Sequence, residues 1–364
     1  MLDQREGAGR GATSETVAGL CAAVPLVDAR CARLAKIMQL TRALPAGSLG
    51  VLDDLTGRIA AIRAEPTSGA LPAIVSVLAG DHGVAVHGTS AYEHGFTGRV
   101  LRLIASGRAP VNILAAQVPA RVEYADVGLV EPVGDPRYRV AAGTADLSRQ
   151  DAMTGEQAHR AVLTGARYAA ERLADRPLLG IGEIGVGNTT AATALAARLL
   201  GVPPTDLVGP GSGVGPAVVQ SKRTLIEAAL DRIGRLPDDP IRILAAVGGL
   251  EIAANVGVIL AAAANRQVIV FDGTITAVSA LTAVRLCPAV AGYLIPAHCS
   301  TEPVHRHLLE ALGQPPLLDL GMRLGMASGA ALALSLVNGA LAVAHLTPEA
   351  RAVDLAVPRG RESR

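Results

Sequence analysis

The stretch PLLGIGEIGVGNTTAATALAARLL, Pro177 to Leu200, decides the fold. Its apolar start predicts a buried strand over 177–181, and its alanine-rich end predicts a helix over 190–200, with a glycine-rich loop between them. Strand, loop and helix in this order are the unit of a parallel sheet that helices cover on both faces. Because ligands bind such sheets at the carboxyl ends of the strands, the loop is also the first place to look for a site.

The same alternation recurs along the chain. The other predicted strands are Ala73–Leu78, Arg121–Val127, Gln267–Phe271 and Tyr293–Ile295. The other predicted helices are 16–43, Val51–Ile62, Gly155–Arg172, Val218–Arg235 and Leu250–Ala263. We therefore expect an α/β domain with a mostly parallel sheet, and a smaller helical part built from both chain ends.

The composition narrows the classes of function. The chain has 364 residues, a formal net charge of +1 and 2% aromatic residues with no tryptophan. These values argue against a nucleic-acid or membrane surface as the main partner. The four cysteines lack metal-type spacing, the N-terminus is polar, and Asn338 and His345 interrupt the apolar run over 327–346. We expect a soluble, cytoplasmic protein with free thiols and no metal or other cofactor.

Three polar clusters follow predicted strands. They are GDHGV (80–84), GEIGVGNTT (182–190) and DGT (272–274). A single Asp-Gly pair is more often a turn than a site. Three clusters at strand ends in one chain favour a common site, because the carboxyl ends of parallel strands share one edge of the sheet.

The glycines of the opening stretch fit two kinds of phosphate loop. Gly180-x-Gly182-x-x-Gly185 matches the dinucleotide fingerprint, and Asp206 stands at the distance of its ribose-binding acid. However, that fingerprint belongs in the first strand–helix turn, and Glu183 would put a carboxylate beside the pyrophosphate. A monophosphate with a ribose and a polar base tolerates this acid better. An NAD-linked oxidoreductase is therefore the less favoured alternative.

Anion binding fits the opening stretch on physical grounds. Asn188, Thr189 and Thr190 are good N-caps for a helix whose positive end would face a phosphate. VGPGSGV (208–214) predicts a second nest of N–H donors, followed by Lys222, one of only two lysines in the chain.

Two other groups of polar residues have a plain structural explanation by pattern alone. His298, His305 and His307 match no zinc pattern, so we expect them on a solvated helix face. Thr347-Pro348-Glu349 is typical of a helix start, with threonine as N-cap and proline in the first helical position.

Longer motifs occur in a fixed order along the chain. They are PAGSLG (45–50), GDHGV (80–84), GTSAY (88–92), GEIGVGNTTAATAL (182–195), VGGLEIAANVGVILAAA (247–263), VFDGTITAVSAL (270–281), HCSTEP (298–303), LLDLGMRLG (317–325) and SGAALAL (328–334). In order and spacing they resemble the nicotinate-nucleotide–dimethylbenzimidazole phosphoribosyltransferases, which act in cobalamin lower-loop assembly. The resemblance covers the chain from about Leu34 to the C-terminus.

The resemblance implies a reaction and a fold. The phosphoribosyl group of nicotinate mononucleotide is transferred to 5,6-dimethylbenzimidazole, which gives α-ribazole 5′-phosphate and nicotinate. The fold is a Rossmann-like, mostly parallel sheet with helices on both faces and a small helical domain, in a homodimer. We expect a disordered N-terminus (1–15), small-domain helices (16–65), a large α/β nucleotide-binding domain (66–300), C-terminal helices completing the small domain (301–355) and a flexible tail (356–364).

The resemblance also implies roles for individual residues. Glu349 takes the place of the general base, and Glu183 lies close to the nucleotide, where it stabilises the positive ribose or holds its hydroxyls. The expected base-pocket residues are Asp81, His82, Tyr92 and His94. The expected phosphate and ribose ligands are Gly182, Ile184, Gly185, Gly187, Asn188, Gly209, Gly211, Ser212, Lys222, Asp272 and Ser300.

The chain departs from the family pattern at four places. Residues 92–94 are Tyr-Glu-His instead of Tyr-Pro-Gln, 44–47 are Leu-Pro-Ala-Gly instead of Lys-Pro-Pro-Gly, and 272–274 are Asp-Gly-Thr instead of Asp-Gly-Phe. Residues 325–329 are Gly-Met-Ala-Ser-Gly instead of Gly-Glu-Gly-Ser/Thr-Gly, which removes a carboxylate. The acceptor is therefore open among benzimidazoles, adenine and phenols. A non-catalytic protein that binds a nucleotide or a base is the second hypothesis.

Overall fold

A computed structural model describes residues 14–93 and 95–353, so the predicted base-pocket residue His94 lies outside the described residues. Within these ranges the strands are β1 (Ala73–Gly80), β2 (Arg121–Gly128), β3 (Leu178–Ile184), β4 (Val268–Phe271) and β5 (Leu294–Pro296). The α-helices are α1 (Val17–Ala22), α2 (Ala29–Leu40), α3 (Val51–Arg63), α4 (Phe96–Ala105), α5 (Pro110–Ala116), α6 (Gly155–Tyr168), α7 (Asn188–Leu200), α8 (Pro216–Ile233), α9 (Pro240–Val247), α10 (Leu250–Ala264), α11 (Thr274–Leu286), α12 (Pro303–Leu312) and α13 (Ser328–Leu346).

The strands form one parallel sheet in the order β2-β1-β3-β4-β5. The central strands β1 and β4 are buried along their whole length, as expected for a sheet that is covered on both faces. After β1 the chain continues to β2 on one side and later to β3 on the other, so a topological switch point lies between β1 and β3. The predicted α/β class is confirmed, and the switch point marks where a ligand should bind.

The predicted loop around the fingerprint glycines is in part a strand. β3 runs to Ile184, so Gly180 and Gly182 are strand residues. A Cβ added at Gly182 would overlap the backbone of Ala327, just before α13, which means that the absence of a side chain lets that segment pack on the sheet. The dinucleotide interpretation of these glycines is therefore wrong.

The true turn of the opening stretch is shorter than predicted. It covers 185–187, and Gly187 has a φ of +90°, a left-handed conformation that glycine adopts without strain. Gly187 is the N-cap of α7, so Asn188, Thr189 and Thr190 form the first helical turn instead of the cap. The amino end of α7 nevertheless points out of the carboxyl edge of the sheet, as anion binding requires.

The largest error in the helix predictions concerns 16–43. This segment is two helices, α1 and α2, and Pro25 lies between them. α2 begins after Asp28, whose carboxylate accepts the N–H of Arg30 at 2.8 Å. The other predicted helices are present, with ends displaced by a few residues.

The apolar helix α13 packs in the core at its amino end. It is the one helix in the described part of the chain that is long and apolar enough to cross a membrane, and 44% of its most apolar window is buried. Its buried residues run from Ser328 to Leu341, and a Cβ added at Gly180 of β3 would touch Ala330 at 3.4 Å. The amino half of α13 is therefore a core helix that covers the sheet.

The segment that follows α2 contacts the segment that follows α13. The N–H of Ala43 donates to Pro348 O at 2.9 Å, and the N–H of Ala350 donates to Thr41 O at 2.9 Å. The guanidinium of Arg42 donates to Thr347 O at 2.9 Å. A small domain shared by both ends needs such contacts, while the domain boundaries themselves stay a prediction.

The C-cap of α3 provides a test of local strain. Ala64 follows this helix with a φ of 54° in the left-handed region, which is unfavourable for a residue with a Cβ. We expect Ala64→Gly to raise the free energy of unfolding by about 1 kcal/mol. Ala32→Gly inside α2 is the control and should lower it by a similar amount, about 1 kcal/mol. Urea unfolding of both variants measures this difference, and a destabilised Ala64→Gly would contradict the strain.

Candidate active site

A cavity of about 550 Å³ opens at the carboxyl edge of the sheet. Its wall comes from the segments that follow β1 (90–100), β3 (183–189), β4 (273–275) and β5 (298–302), together with 211–212 and 323–326. The volume is within the range of sites for small molecules. The loops after the strands thus enclose one site, to which two of the three predicted polar clusters, 182–190 and 272–274, contribute, whereas 80–84 does not line it.

Glu183 is one of two buried carboxyl groups in the wall of this cavity, with Glu302. It lies near the end of β3, and its Oε2 accepts a hydrogen bond from the side-chain amide of Asn188 in the first turn of α7. Burial raises the pKa of Glu183 well above its ordinary value, and the nearby carboxylates of Glu251 and Asp272 raise it further. The free site therefore favours a protonated Glu183, which a cationic ligand would ionise.

An aromatic wall stands on one side of the cavity. The rings of Tyr92 and Phe96 are stacked, with centroids 4.0 Å apart and an angle of 7° between their planes. Val100, Leu324 and Met326 also line the cavity. Flat rings and aliphatic side chains favour a planar, largely apolar ligand group at this wall.

The 209–212 turn is held by a buried cation and a buried acid. Lys222 is 1% exposed, and its Nζ donates to Gly209 O at 2.9 Å and to Thr189 Oγ1 at 3.2 Å. The N–H of Gly211 donates to Glu302 Oε1 at 2.7 Å. Burial lowers the pKa of Lys222 and raises that of Glu302, whereas each charge favours the other. The pair fixes the turn that carries Ser212.

Ser212 joins the turn to the loop after β1. Its Oγ accepts the N–H of Ala91 at 2.8 Å and lies 3.2 Å from Ser90 Oγ. The exposed Arg323 lies beside the same turn, with Nη1 3.2 Å from Gly211 O. A cation and several hydroxyls therefore surround this end of the cavity, which is the chemistry that a phosphate needs.

The floor of the cavity lies under the amino ends of α11 and α13. Asp272 Oδ1 accepts the N–H of Ala330 at 3.0 Å, so this carboxylate caps α13. His298 is 2% exposed, and its Nε2 lies 3.6 Å from Asp272 Oδ1. Burial raises the pKa of Asp272, and the neighbouring His298 lowers it. The floor is a polar, buried layer on which helix amino ends converge.

Most of the predicted ligands lie together at the cavity. Those that line it are Tyr92, Glu183, Ile184, Gly185, Gly187, Asn188, Gly211, Ser212 and Ser300. Gly209 and Lys222 stand behind the wall, Gly182 lies under α13, and Asp272 caps α13. Lys222 thus supports the hydroxyl-rich end of the cavity through the turn and not by a free side chain.

Two predicted base-pocket residues have structural partners instead. Asp81 Oδ2 accepts the N–H of Val130 at 2.9 Å, which ties the loops after β1 and β2 together. His82 Nε2 is 2.7 Å from Glu251 Oε1, and both side chains are fully buried. Neither Asp81 nor His82 lines the cavity. They support the site from behind.

Glu349 does not reach the cavity within this chain. Met326, which lines the cavity, lies two residues before α13, and Glu349 follows the far end of that helix. α13 has 19 residues, so at the usual rise its ends are about 28 Å apart. Glu349 is exposed and pairs with Arg42 in an isolated antiparallel bridge. A role as base would require the C-terminal segment of a second copy.

Several residues of the site were not predicted from the sequence. Phe96, Glu302, Arg323 and His298 all line the cavity. His298 and His305 are buried, not solvated, and burial lowers the pKa of His305 to about 3. The Glu-Pro pair at 302–303 was a usable signal for Glu302 because it marks the start of α12 at a strand end. No local pattern distinguishes Arg323 from the other arginines.

Comparisons with known proteins agree with this geometry. A family model described as phosphoribosyltransferase matches residues 24–352, which defines the class of the chain. The nicotinate-nucleotide–dimethylbenzimidazole phosphoribosyltransferase of Pseudomonas putida strain W619 is 43% identical, over 84% of this chain and 88% of that protein. The enzyme of the same name from Pseudomonas aeruginosa strain UCBPP-PA14 is 44% identical, over 82% of this chain and 87% of that protein.

Solved structures show the same relationship. The crystal structure of CobT from Thermus thermophilus superposes with a TM-score of 0.86 at 36% identity, over 91% of this chain and all of that one. A second structure from that organism, named nicotinate-nucleotide–dimethylbenzimidazole phosphoribosyltransferase, has a TM-score of 0.85 at 35% identity, over 92% of this chain and all of that one. The chain belongs to the nicotinate-nucleotide–dimethylbenzimidazole phosphoribosyltransferase family.

Proposed function

We propose that this chain transfers the phosphoribosyl group of nicotinate mononucleotide to 5,6-dimethylbenzimidazole or a related base, giving α-ribazole 5′-phosphate and nicotinate for cobalamin lower-loop synthesis. One observation carries the proposal. Glu183 lies in a cavity that has an aromatic wall at Tyr92 and Phe96 and a cationic, hydroxyl-rich end at Ser212 and Arg323. A ribose, a flat acceptor ring and a nucleotide phosphate match these three parts in that order.

The phosphate belongs at the hydroxyl-rich end. Thr189, Ser212 and Ser300 present side-chain hydroxyls there, and Arg323 supplies the charge. The amino ends of α7 and α12 begin beside these residues and add the positive end of two helix dipoles. The buried Lys222 adds a fixed positive charge behind the turn.

The ribose then lies against Glu183. When the bond between C1′ and the pyridinium nitrogen breaks, its electron pair goes to that nitrogen, so nicotinate leaves without an acid. The ribosyl group becomes oxocarbenium-like, and a carboxylate fixed beside it stabilises this developing charge. The nitrogen lone pair of the acceptor ring forms the new bond to C1′.

The raised pKa of Glu183 fits this role. The raised pKa favours the protonated carboxyl group in the free site, and the positively charged pyridinium ring of the bound nucleotide favours its ionised form. The bound nucleotide therefore favours the negative charge on Glu183 that its own reaction requires. Gly325, beside Oε1 of Glu183, leaves the approach to this group free of a side chain.

We further propose a homodimer in the cytoplasm. Large apolar side chains are exposed at the small helical part, including Leu26 at 77%, Ile37 at 58% and Leu346 at 75%. Exposed apolar surface of this kind favours association with a second copy. The four free cysteines suit a reducing compartment.

The proposed function is tested by nicotinate release. We expect the purified chain to release nicotinate from nicotinate mononucleotide only when an acceptor base is present, with 5,6-dimethylbenzimidazole, benzimidazole and adenine as the panel. Tight binding of the nucleotide without release for any base would instead support the non-catalytic binding protein. The loss of the family carboxylate at Met326 is the observation that favours this second candidate.

A further inference from the structure

Met326 forms part of the cavity wall at a point where the family pattern has a carboxylate. It lines the cavity and is 7% exposed. Its φ is 58°, and the next residue, Ala327, has the same φ. The N–H of Met326 donates to Glu183 O at 3.1 Å, so the strained segment is tied directly to the end of β3. The Met326 thioether, which accepts no proton, therefore lies next to the proposed ribose site.

The remaining titratable groups in the described wall have other tasks. Glu302 Oε1 accepts the N–H of Gly211 at 2.7 Å and balances Lys222. His298 is wedged at the floor, with Nε2 toward Asp272 and its ring against the backbone of Gly329. Movement of Glu302 toward the aromatic wall would break its hydrogen bond with the N–H of Gly211, and His298 is packed against Gly329.

Glu183 cannot take the acceptor's proton either. Its Oε2 is held by Asn188, and its one negative charge faces the ribosyl cation. Accepting a proton would remove that charge at the step that needs it.

We propose that this chain transfers the phosphoribosyl group to a neutral imine-type ring nitrogen without a general base for the acceptor, and that Met326 packs on the acceptor ring at the point where the family pattern has a carboxylate. The proposal rests on the proposed function and deepens it by naming the acceptor class. Met326, Leu324, Tyr92 and Phe96 supply contact area and shape, and the chemistry is left to the nucleophilicity of the acceptor.

The step balances without a base. The imine nitrogen of a benzimidazole donates its lone pair to C1′ while the bond between C1′ and the pyridinium nitrogen breaks and its electrons neutralise that ring. The first product is a ribosyl benzimidazolium that still carries the other N–H. This cation loses its proton to water after transfer, when no protein group is needed.

Two consequences distinguish transfer without a base from base-assisted transfer. An acceptor without an exchangeable N–H, such as 1-methylbenzimidazole, should react, because its free nitrogen has the same lone pair. A phenol should not react, because its oxygen becomes a good nucleophile only when a base removes the proton.

The test compares benzimidazole, 1-methylbenzimidazole and p-cresol, each with nicotinate mononucleotide, in the full chain and in Met326→Ala. Nicotinate release and the mass of the ribosylated product are measured. We expect 1-methylbenzimidazole to react at a rate of the same order as benzimidazole in at least one of the two proteins, and p-cresol to give no product in either. Met326→Ala provides the room that a methyl group needs.

Three results would overturn the inference. In the first, benzimidazole reacts but 1-methylbenzimidazole is inert in both proteins. In the second, the full chain converts p-cresol. In the third, Met326→Glu leaves the ratio of the benzimidazole rate to the 1-methylbenzimidazole rate unchanged. A restored carboxylate should raise that ratio about tenfold or more, because general-base catalysis accelerates only the acceptor that has an N–H proton to lose. No release with benzimidazole itself would instead overturn the proposed function, and the inference with it.

Discussion

Glu183→Gln is expected to lower the turnover of the transferase by about 10²- to 10³-fold, the range seen when a fixed electrostatic partner of a transition state is removed. Glutamine keeps the shape of the side chain, and its carbonyl oxygen can still accept the hydrogen bond from Asn188. What it lacks is the negative charge beside C1′. Binding of nicotinate mononucleotide, measured by calorimetry, should change far less than turnover.

The stability of this variant separates a catalytic loss from a folding defect. The pKa of Glu183 is raised in the folded chain, so burial of this carboxyl group costs no stability at low pH and destabilises the fold increasingly as the pH rises above the ordinary pKa of a glutamate. At neutral pH, glutamine should therefore leave the free energy of unfolding equal or higher. A fall in both stability and turnover would mean that Glu183 is structural.

The pH dependence gives the same prediction another readout. The ionised form of Glu183 is the useful one, so kcat/KM should rise with pH through its pKa, at a higher pH than for an ordinary carboxyl group. Glu183→Gln should lose this acid limb. Glu349→Gln should keep both the limb and nearly full turnover, because Glu349 lies at the far end of α13. A large loss in Glu349→Gln would show that a second copy delivers this residue as a base.

Lys222→Met is expected to have the largest effect on stability, a loss of about 3 kcal/mol, because it leaves the buried acid Glu302 without its cation. It also removes the donor that holds Gly209 O at 2.9 Å and Thr189 Oγ1 at 3.2 Å. The turn that carries Ser212 should then loosen, and nicotinate mononucleotide should bind at least about tenfold more weakly, a free-energy change of about 1.4 kcal/mol. Chemical unfolding and calorimetry measure the two effects.

The double variant Lys222→Met/Glu302→Gln tests the cause. If the uncompensated charge of Glu302 produces the instability, neutralising it should restore much of the free energy of unfolding but not the nucleotide affinity. Lys36→Met on the exposed face of α2 is the matched control, since Lys36 is the other lysine of the chain. Equal destabilisation by Lys36→Met, or no rescue in the double variant, would contradict the pairing.

Much of the fold could be predicted from the sequence because buried parallel strands are short apolar runs that end at glycine and polar clusters. All five predicted strands are present, and the sheet is parallel throughout. The fingerprint glycines suggested a dinucleotide loop, but Gly182 is required by its close contact with Ala327. A local sequence pattern cannot show such a tertiary contact. Pro25 was a local signal, and it does mark the break in 16–43.

The site was predictable in outline and not in its assignments. Strand ends located Glu183 and Asn188 correctly at the cavity, because the topology of a parallel sheet fixes that edge. Lys222 was expected to contact the ligand, but it is buried behind the cavity wall. The sequence does not show whether a lysine is exposed or buried. Glu349 was carried over from a resemblance by counting residues. The length of α13 is what separates it from the cavity.

The most direct test of the proposed transfer follows the ribose carbon itself. Nicotinate mononucleotide labelled with ¹³C at C1′ is incubated with the chain and 5,6-dimethylbenzimidazole, and the label is followed by NMR. We predict that the C1′ signal moves from the pyridinium nucleotide to a ribosyl benzimidazole, and that Glu183→Gln slows this movement. A label that stays on the nucleotide, or that appears as free ribose 5-phosphate, would contradict the transfer.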